Sequence, residues 1–352
     1  MNSMIGTGQP RGYALAILLG LPGGALLQYI GSPLPWFLGP MLTNAVFALM
    51  GVPVVGPTFL RPYALPVLGV MLGSAFMPEI FRNLSVWAVS LAMIPAYAIL
   101  STAANYLYYR RVAHSDPVTS YFASVPGGLN DMILLGEEYG GDTRQIALAH
   151  SMRIIVSVLF IALLLVLFLD VSGASAQRRI IRFSDPELGD AAILLACAVI
   201  GPVLGRFLRF PARQMLGPLL LSAAAHLAGL VEIGPPTVLS LAAQFVLGIC
   251  IGARFAGVSF GSAAMSMFHA LISASLALAF SAVVALVVMS VAGVDFFGAF
   301  LGYAPGGMME MSLLALAIGQ SVAYVTVAHT MRYVFVMLVA PVLFHGLRRR
   351  AA

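Results

Sequence analysis

Lysine is absent from these 352 residues, and acidic residues number only 13. The 18 basic residues are therefore all arginine, and the formal net charge is +5. Charged residues make up 9% of the chain against 61% hydrophobic. A soluble domain carries about 25% charged residues, so this composition excludes an ordinary water-soluble globule. Apart from Arg348, Arg349 and Arg350 there is no basic cluster, which excludes a nucleic-acid-binding arm and leaves no nucleic acid as an expected partner. The two cysteines, Cys197 and Cys250, lie inside apolar runs. They are too few and too isolated for a disulfide framework or a thiolate metal site, and read as small core residues. Nothing in the sequence calls for a cofactor: there is no metal-ligand spacing and no phosphate-binding loop after a strand.

What the chain has in abundance is apolar runs near the spanning length of about 20 residues. They fall at 13–30, 35–52, 63–78, 84–109, 146–170, 188–205, 214–231, 238–253, 264–293, 296–318 and 322–346. The runs do not alternate, so the expected fold class is all-α, a polytopic membrane protein with about 10–12 transmembrane segments. Residues 1–31 faintly resemble a signal peptide, but no small-x-small cleavage site follows, and the segment reads as the first helix.

The chain contains an internal repeat. Shifted by 179, residues 126–153 and 305–332 are identical at 11 of 28 positions without a gap. The same shift pairs Leu68, Gly69 and Gly73 with Leu247, Gly248 and Gly252. A shift of 178 pairs Pro33 with Pro211, and Leu38-Gly39-Pro40 with Leu216-Gly217-Pro218. The expected organisation is a first transmembrane repeat at 1–172, a polar linker at 173–186 and a second repeat at 187–352. The turn at 31–35 carries no arginine, whereas its counterpart carries Arg206, Arg209 and Arg213. Equivalent loops with opposite charge bias point to opposite sides of the membrane, hence inverted repeats. Five crossings per copy give inversion; six would make the copies parallel. With five, eleven arginines fall on one side and four (Arg82, Arg178, Arg179, Arg182) on the other. The arginine-rich side is expected to be cytoplasmic, with both termini there.

Each repeat carries Pro-Gly-Gly, at Pro126-Gly127-Gly128 and Pro305-Gly306-Gly307. Proline removes a backbone donor and disfavours helix before it, and Gly-Gly lets another group approach closely. A broken or re-entrant helix is expected at each. Such a break at membrane depth survives only inside protein or beside a hydrated cavity. A plain interhelical loop is the alternative. Five residues past each proline stands an acid, Asp131 or Glu310. Either marks the start of the resumed helix, binds a proton or sodium ion, or touches a substrate. Asn130 has Met309 as its counterpart, so the site is not symmetric. His150 and Arg153 share a helix face, as do His329 and Arg332. Each pair clamps the broken segment, with Asp131 and Glu310 as candidate partners of the arginines, or contacts a ligand. Glu137, Glu138, Asp142 and Arg144 have no charged counterparts and read as a water-exposed rim. His226 and His269 read as core histidines, and Gln320 and Tyr324 have no assigned role.

The motifs LGPM at 38–41, SVPGGLNDM at 124–132, AHSMR at 149–153, APGGMMEM at 304–311 and AHTMR at 328–332 resemble the AbrB-duplication family of bacterial inner-membrane proteins. The resemblance runs from Gly12 to Phe344 and implies a duplicated domain in the inner membrane. Members carry the labels ammonia monooxygenase and regulator of aidB expression, neither of which implies a mechanism for these residues. The expected function is a secondary transporter of a small anionic metabolite coupled to proton or sodium. Its site would lie between the two broken helices, with Gly127, Gly128, Asn130, Asp131, His150, Arg153, Gly306, Gly307, Glu310, His329 and Arg332 as its residues. A membrane sensor acting indirectly on gene expression is the alternative, and no enzymatic activity is expected. Partners are the lipid bilayer, the small-molecule substrate and its coupling ion, with a homodimer left open.

Overall fold

The structure is a computed structural model that describes residues 9–76, 84–168, 180–210, 212–257 and 260–351. Arg82, Arg178 and Arg179, used above for topology, lie outside the described residues, as do Pro211 and much of the linker. The described residues form fourteen α-helices and no strand. In chain order these are α1 (Gln9–Tyr29), α2 (Pro35–Leu49), α3 (Arg61–Gly73), α4 (Leu84–Arg111), α5 (Pro117–Ser124), α6 (Leu129–Glu138), α7 (Thr143–Phe168), α8 (Leu188–Phe207), α9 (Arg213–Leu227), α10 (Thr237–Gly252), α11 (Phe260–Ala292), α12 (Phe296–Tyr303), α13 (Met308–Ala317) and α14 (Val322–Ala351).

Among the described residues, seven helical stretches are long and apolar enough to cross a membrane: Pro10–Tyr29, Ser85–Arg111, Thr143–Leu165, Leu188–Phe207, Thr237–Phe255, Ala264–Ala292 and Val322–His345. The runs at 35–52 and 63–78 are only partly helical. Their helices have 15 and 13 residues, about 22 and 20 Å at 1.5 Å per residue, short of a core of about 30 Å. The run at 296–318 is divided by its Pro-Gly-Gly into helices of eight and ten residues.

The chain separates into two compact units, each drawn from both halves of the sequence. One unit (Met1–Pro78, Ala162–Ser262 and Leu316–Gly319) holds α1–α3 and α8–α10. Its packing is built on glycine. A β-carbon at Gly39 would overlap the backbone of Gly23, and one at Gly217 the carbonyl of Gly201, so α1 meets α2 and α8 meets α9 backbone to backbone. The same device joins the sequence halves. Gly69 of α3 lies on the Met215 carbonyl of α9, and Gly248 of α10 lies on the Phe37 carbonyl of α2. Leu34 and Ala212, just before α2 and α9, both take the left-handed backbone, at φ 52° and 45°.

The second unit (Glu79–Ile161, Ala263–Ala315 and Gln320–Ala352) holds α4–α6, most of α7 and α11, α12, the bulk of α13, and α14. Every candidate site residue singled out above falls in it.

Gly217→Val is expected to lower the detergent melting temperature sharply or prevent folding, since overpacking costs about 1–3 kcal/mol and here the obstacle is backbone. Gly189→Ala, where nothing lies within 4 Å, is expected to leave the melting temperature unchanged. Differential scanning fluorimetry of the two purified variants checks this.

Candidate functional site

The first break is a helical hairpin. Asp116 caps α5 by accepting from Val118 N and Thr119 N, both at 2.9 Å, and Pro117 starts the helix. After Ser124 the chain is extended at Val125 (φ −60°, ψ 129°) and Gly128 (φ −67°, ψ 134°), and α6 begins at Leu129. The chain then doubles back. Asp142 N donates to Thr119 Oγ1 at 2.7 Å, and Tyr139 stacks on Phe122 with centroids 5.7 Å apart. The end of α6 therefore returns to the start of α5, which is a re-entrant path.

The second break repeats it. Asp295 caps α12 through Phe297 N (2.9 Å) and Gly298 N (3.2 Å). Ala304 is extended (φ −51°, ψ 142°), and Gly298 lies beside the Gln320 side chain. Gly140 and Gly319 close the two hairpins in the left-handed region, at φ 83° and 70°.

Each break leaves carbonyls without helical partners, and an Arg–His pair supplies the donors. His150 Nε2 donates to Phe122 O at 2.9 Å, Arg153 Nη1 to Val125 O at 3.1 Å, and Arg153 Nη2 to His150 Nδ1 at 2.6 Å. In the second half, His329 Nε2 donates to Leu301 O at 2.9 Å and Arg332 Nη2 to His329 Nδ1 at 3.0 Å. Arg332 also donates to Tyr303 O (3.1 Å), Ala304 O (2.7 Å) and Gly306 O (3.2 Å). These bonds fix the tautomer. A carbonyl only accepts and a guanidinium only donates, so both imidazoles are neutral with the proton on Nε2.

The acids take other positions. Asp131, half-buried in the first turn of α6, accepts from Tyr333 O–H at 2.9 Å, so its partner is a tyrosine from the other half and not Arg153. Glu310 is buried at 6% exposure. Each carboxylate folds back over its glycine. A β-carbon at Gly128 would strike Asp131 Oδ2, and one at Gly307 would strike Glu310 Oε2. Gly127 is half-buried and Gly306 buried, while Asn130 is exposed. Glu137, Glu138, Asp142 and Arg144 are exposed, as a rim requires.

Sequence reasoning missed a polar stripe on α4. Ser90, Tyr97, Ser101, Asn105 and Tyr109 are all at most 5% exposed, and from Ser90 to Tyr109 they cover about 28 Å of helix. Tyr97 O–H donates to Ser281 Oγ at 2.9 Å, and Ser273 Oγ donates to Asn105 Oδ1 at 2.6 Å. Tyr97 lies within electrostatic reach of both Arg153 and Arg332, and the two arginines of each other. The arginines of both clamps thus lie within electrostatic reach of one tyrosine. Spacing of seven, four, four and four is helical, but serines and tyrosines in an apolar run give a faint signal beside acids and arginines.

At one end of the stripe is a cavity of about 170 Å³, lined by Tyr109, Ser115, Gln145, Ser266 and His269 among others. His269 Nδ1 and Tyr108 Oη are hydrogen-bonded at 2.8 Å. At the other end the equivalent volume is filled. The residues matched to Ser266, His269 and Gln145 by the 179 shift are Trp87, Ser90 and Tyr324. Tyr324 O–H bonds Ser90 Oγ, Tyr303 O–H donates to Ser90 O, and Trp87 lies 5.6 Å from Tyr324.

Arg332 holds three carbonyls and Arg153 one. Leaving a buried acceptor unpaired costs about 1–3 kcal/mol. Arg332→Met is therefore expected to lower the melting temperature in detergent more than Arg153→Met, a comparison that thermal unfolding of the two variants decides.

The family model described as "Transition state regulatory protein AbrB" matches residues 36–348. A protein of Escherichia coli (strain K12) named "Putative regulator AbrB" is 26% identical over 328 residues, covering 93% of this chain and 92% of that protein. "Uncharacterized protein YhjN" of Bacillus subtilis (strain 168) is 25% identical over 346 residues, covering 92% of this chain and 90% of that one. With the family model spanning most of its length, the chain belongs to the AbrB family.

Proposed function

We propose that this protein is a secondary transporter of a small anionic metabolite in the bacterial inner membrane, coupled to a proton or sodium ion. The observation that carries the reading is a pair of clamped breaks, one from each half, whose arginines lie within electrostatic reach of each other and of Tyr97 in a buried polar stripe. Broken helices with a polar centre are where carriers bind their cargo. Each Pro-Gly-Gly hairpin doubles back and so adds no crossing to its half, which is the arrangement that inverted repeats of five crossings would need. With the arginine-rich side taken as cytoplasmic, Arg110 and Arg111 at the end of α4 would set the cavity at Tyr109 on that side, together with both termini. The Trp87–Ser90–Tyr324 cluster then closes the opposite side. Open on one side and closed on the other is what alternating access requires of a single state.

The family's regulatory description supports a second reading, a membrane regulator of gene expression. The polar stripe favours the carrier: a sensor that acts only through a partner has no need of hydrophilic residues across about 28 Å of one span.

Reconstituted protein is expected to take up labelled organic anions faster under a pH or sodium gradient than without one. Absence of gradient-stimulated flux across a broad anion panel overturns the proposal. Removing the Tyr324 ring takes its packing on Trp87 from the closed side; about 1 kcal/mol is roughly a fivefold shift in population. In a background with Cys197 and Cys250 replaced by alanine, Ser90→Cys is expected to react slowly with an impermeant maleimide from outside the cell. Adding Tyr324→Ala is expected to raise that rate at least severalfold.

A further inference from the structure

Three buried polar atoms in the first half of the site lack hydrogen-bond partners among the described residues: Tyr109 Oη, Arg153 Nε and Ser157 Oγ. Tyr109 is 5% exposed, Arg153 8% and Ser157 0%. Buried polar groups are ordinarily paired, by protein, water or ligand. Arg153 and Ser157 stand four apart on one face of α7, and the Tyr109 hydroxyl lies within electrostatic reach of Arg153 and close to Ser273 Oγ, an acceptor it approaches without hydrogen-bond geometry. The Ser273 proton is already committed to Asn105.

The duplication supplies an internal control. The 179 shift places Val288 opposite Tyr109 and Val336 opposite Ser157, while Arg332 matches Arg153. Both arginines are kept, but Arg332 has no counterpart of the Tyr109 and Ser157 hydroxyls. Their duties differ as well. Arg332 gives hydrogen bonds to three carbonyls and an imidazole, whereas Arg153 gives one to a carbonyl and one to an imidazole. A guanidinium has five N–H donors, so most of Arg153's are left for something else. Its two partners carry no charge, and a buried cation calls for an anion. Tyr109 is part of the wall of the 170 Å³ cavity that His269 and Gln145 also line; Arg153 and Ser157 are not in that wall, so a ligand entering here must pass Tyr109 to reach them.

We propose that Tyr109, Arg153 and Ser157 form the anion-binding site, and that its ligand is a small monocarboxylate entering past His269 and Gln145. One guanidinium neutralises one charge, and the planar carboxylate fits guanidinium N–H donors. A ligand entering this way passes a cavity of about 170 Å³, which favours one of a few carbon atoms. This rests on the carrier reading and narrows it to a substrate class and a place.

The test uses Tyr109→Phe and Ser157→Ala, which remove one hydroxyl each and leave the Arg153–His150–Val125 clamp in place. Tyr106→Phe is the control. Full-length protein in detergent is titrated calorimetrically with acetate, propionate and benzoate, and the same proteins are reconstituted for flux of a broad anion panel. The expected result is acetate or propionate binding that weakens about tenfold or more in both variants, with unchanged melting temperature and unchanged binding in the control. Binding that is equal in all four proteins overturns the site while the carrier reading stands. No monocarboxylate binding alongside gradient-driven flux of some other anion overturns the substrate class and the site. Absence of both binding and flux removes the carrier reading itself.

Discussion

A carbonyl that cannot find an N–H inside a membrane is a liability, and the second unit is organised around meeting that need. Breaking α5 from α6 and α12 from α13 strands the carbonyls of Phe122, Val125, Leu301, Tyr303, Ala304 and Gly306 away from regular helical pairing. Two Arg–His pairs, each three residues apart on a long helix, collect them. Because the donors are guanidiniums, the solution brings two positive charges to the centre of an apolar unit. Everything distinctive about the site follows: neutral histidines, a tyrosine shared by both cations, and a demand for negative charge.

The two clamps are alike in their Arg–His pairs and unequal in their surroundings. Where the first half has Gln145, Ser266 and His269 around a cavity, the second has Tyr324, Trp87 and Ser90 packed and hydrogen-bonded. Where the first has Tyr109 and Ser157 beside its arginine, the second has Val288 and Val336, the latter in the apolar cluster with Phe122 and Phe344. The first unit shows less divergence. Its glycine contacts come in matched sets, Gly23 on Gly39 with Gly201 on Gly217, and Gly69 on Met215 with Gly248 on Phe37. Contacts built from backbone tolerate little change in side chains, whereas a binding site is made of the side chains that differ.

The membrane class, the breaks and the paired Arg–His faces were legible in the sequence because each depends on local rules: apolar run length, Pro-Gly-Gly, and three-residue spacing. Partner choice was not. The spacing that put Arg153 toward the break could not say that it would take Val125 O while Asp131 went to Tyr333, since both are near in space and only the packing of α14 decides. Nor could run length separate a span from a half-span. Residues 296–318 are apolar throughout, yet fold as helices of eight and ten residues. The stripe on α4 stayed hidden because tyrosine and serine count as ordinary residues of a membrane helix until a cavity and two arginines give them neighbours.

The fixed tautomers narrow the coupling chemistry. Protonating His150 or His329 would turn Nδ1 from acceptor to donor directly against a guanidinium N–H, breaking the bond that holds the clamp. A proton carried there would dismantle the break it was meant to serve. A carboxylate faces no such conflict. Asp131 meets a hydroxyl that can turn from donor to acceptor when the acid gains a proton, and Glu310 lies buried over Gly307 at the matched point of the second break. If the protein works as the carrier proposed above, the coupling ion, proton or sodium, belongs to the two acids at the helix starts, and the histidines belong to the framework.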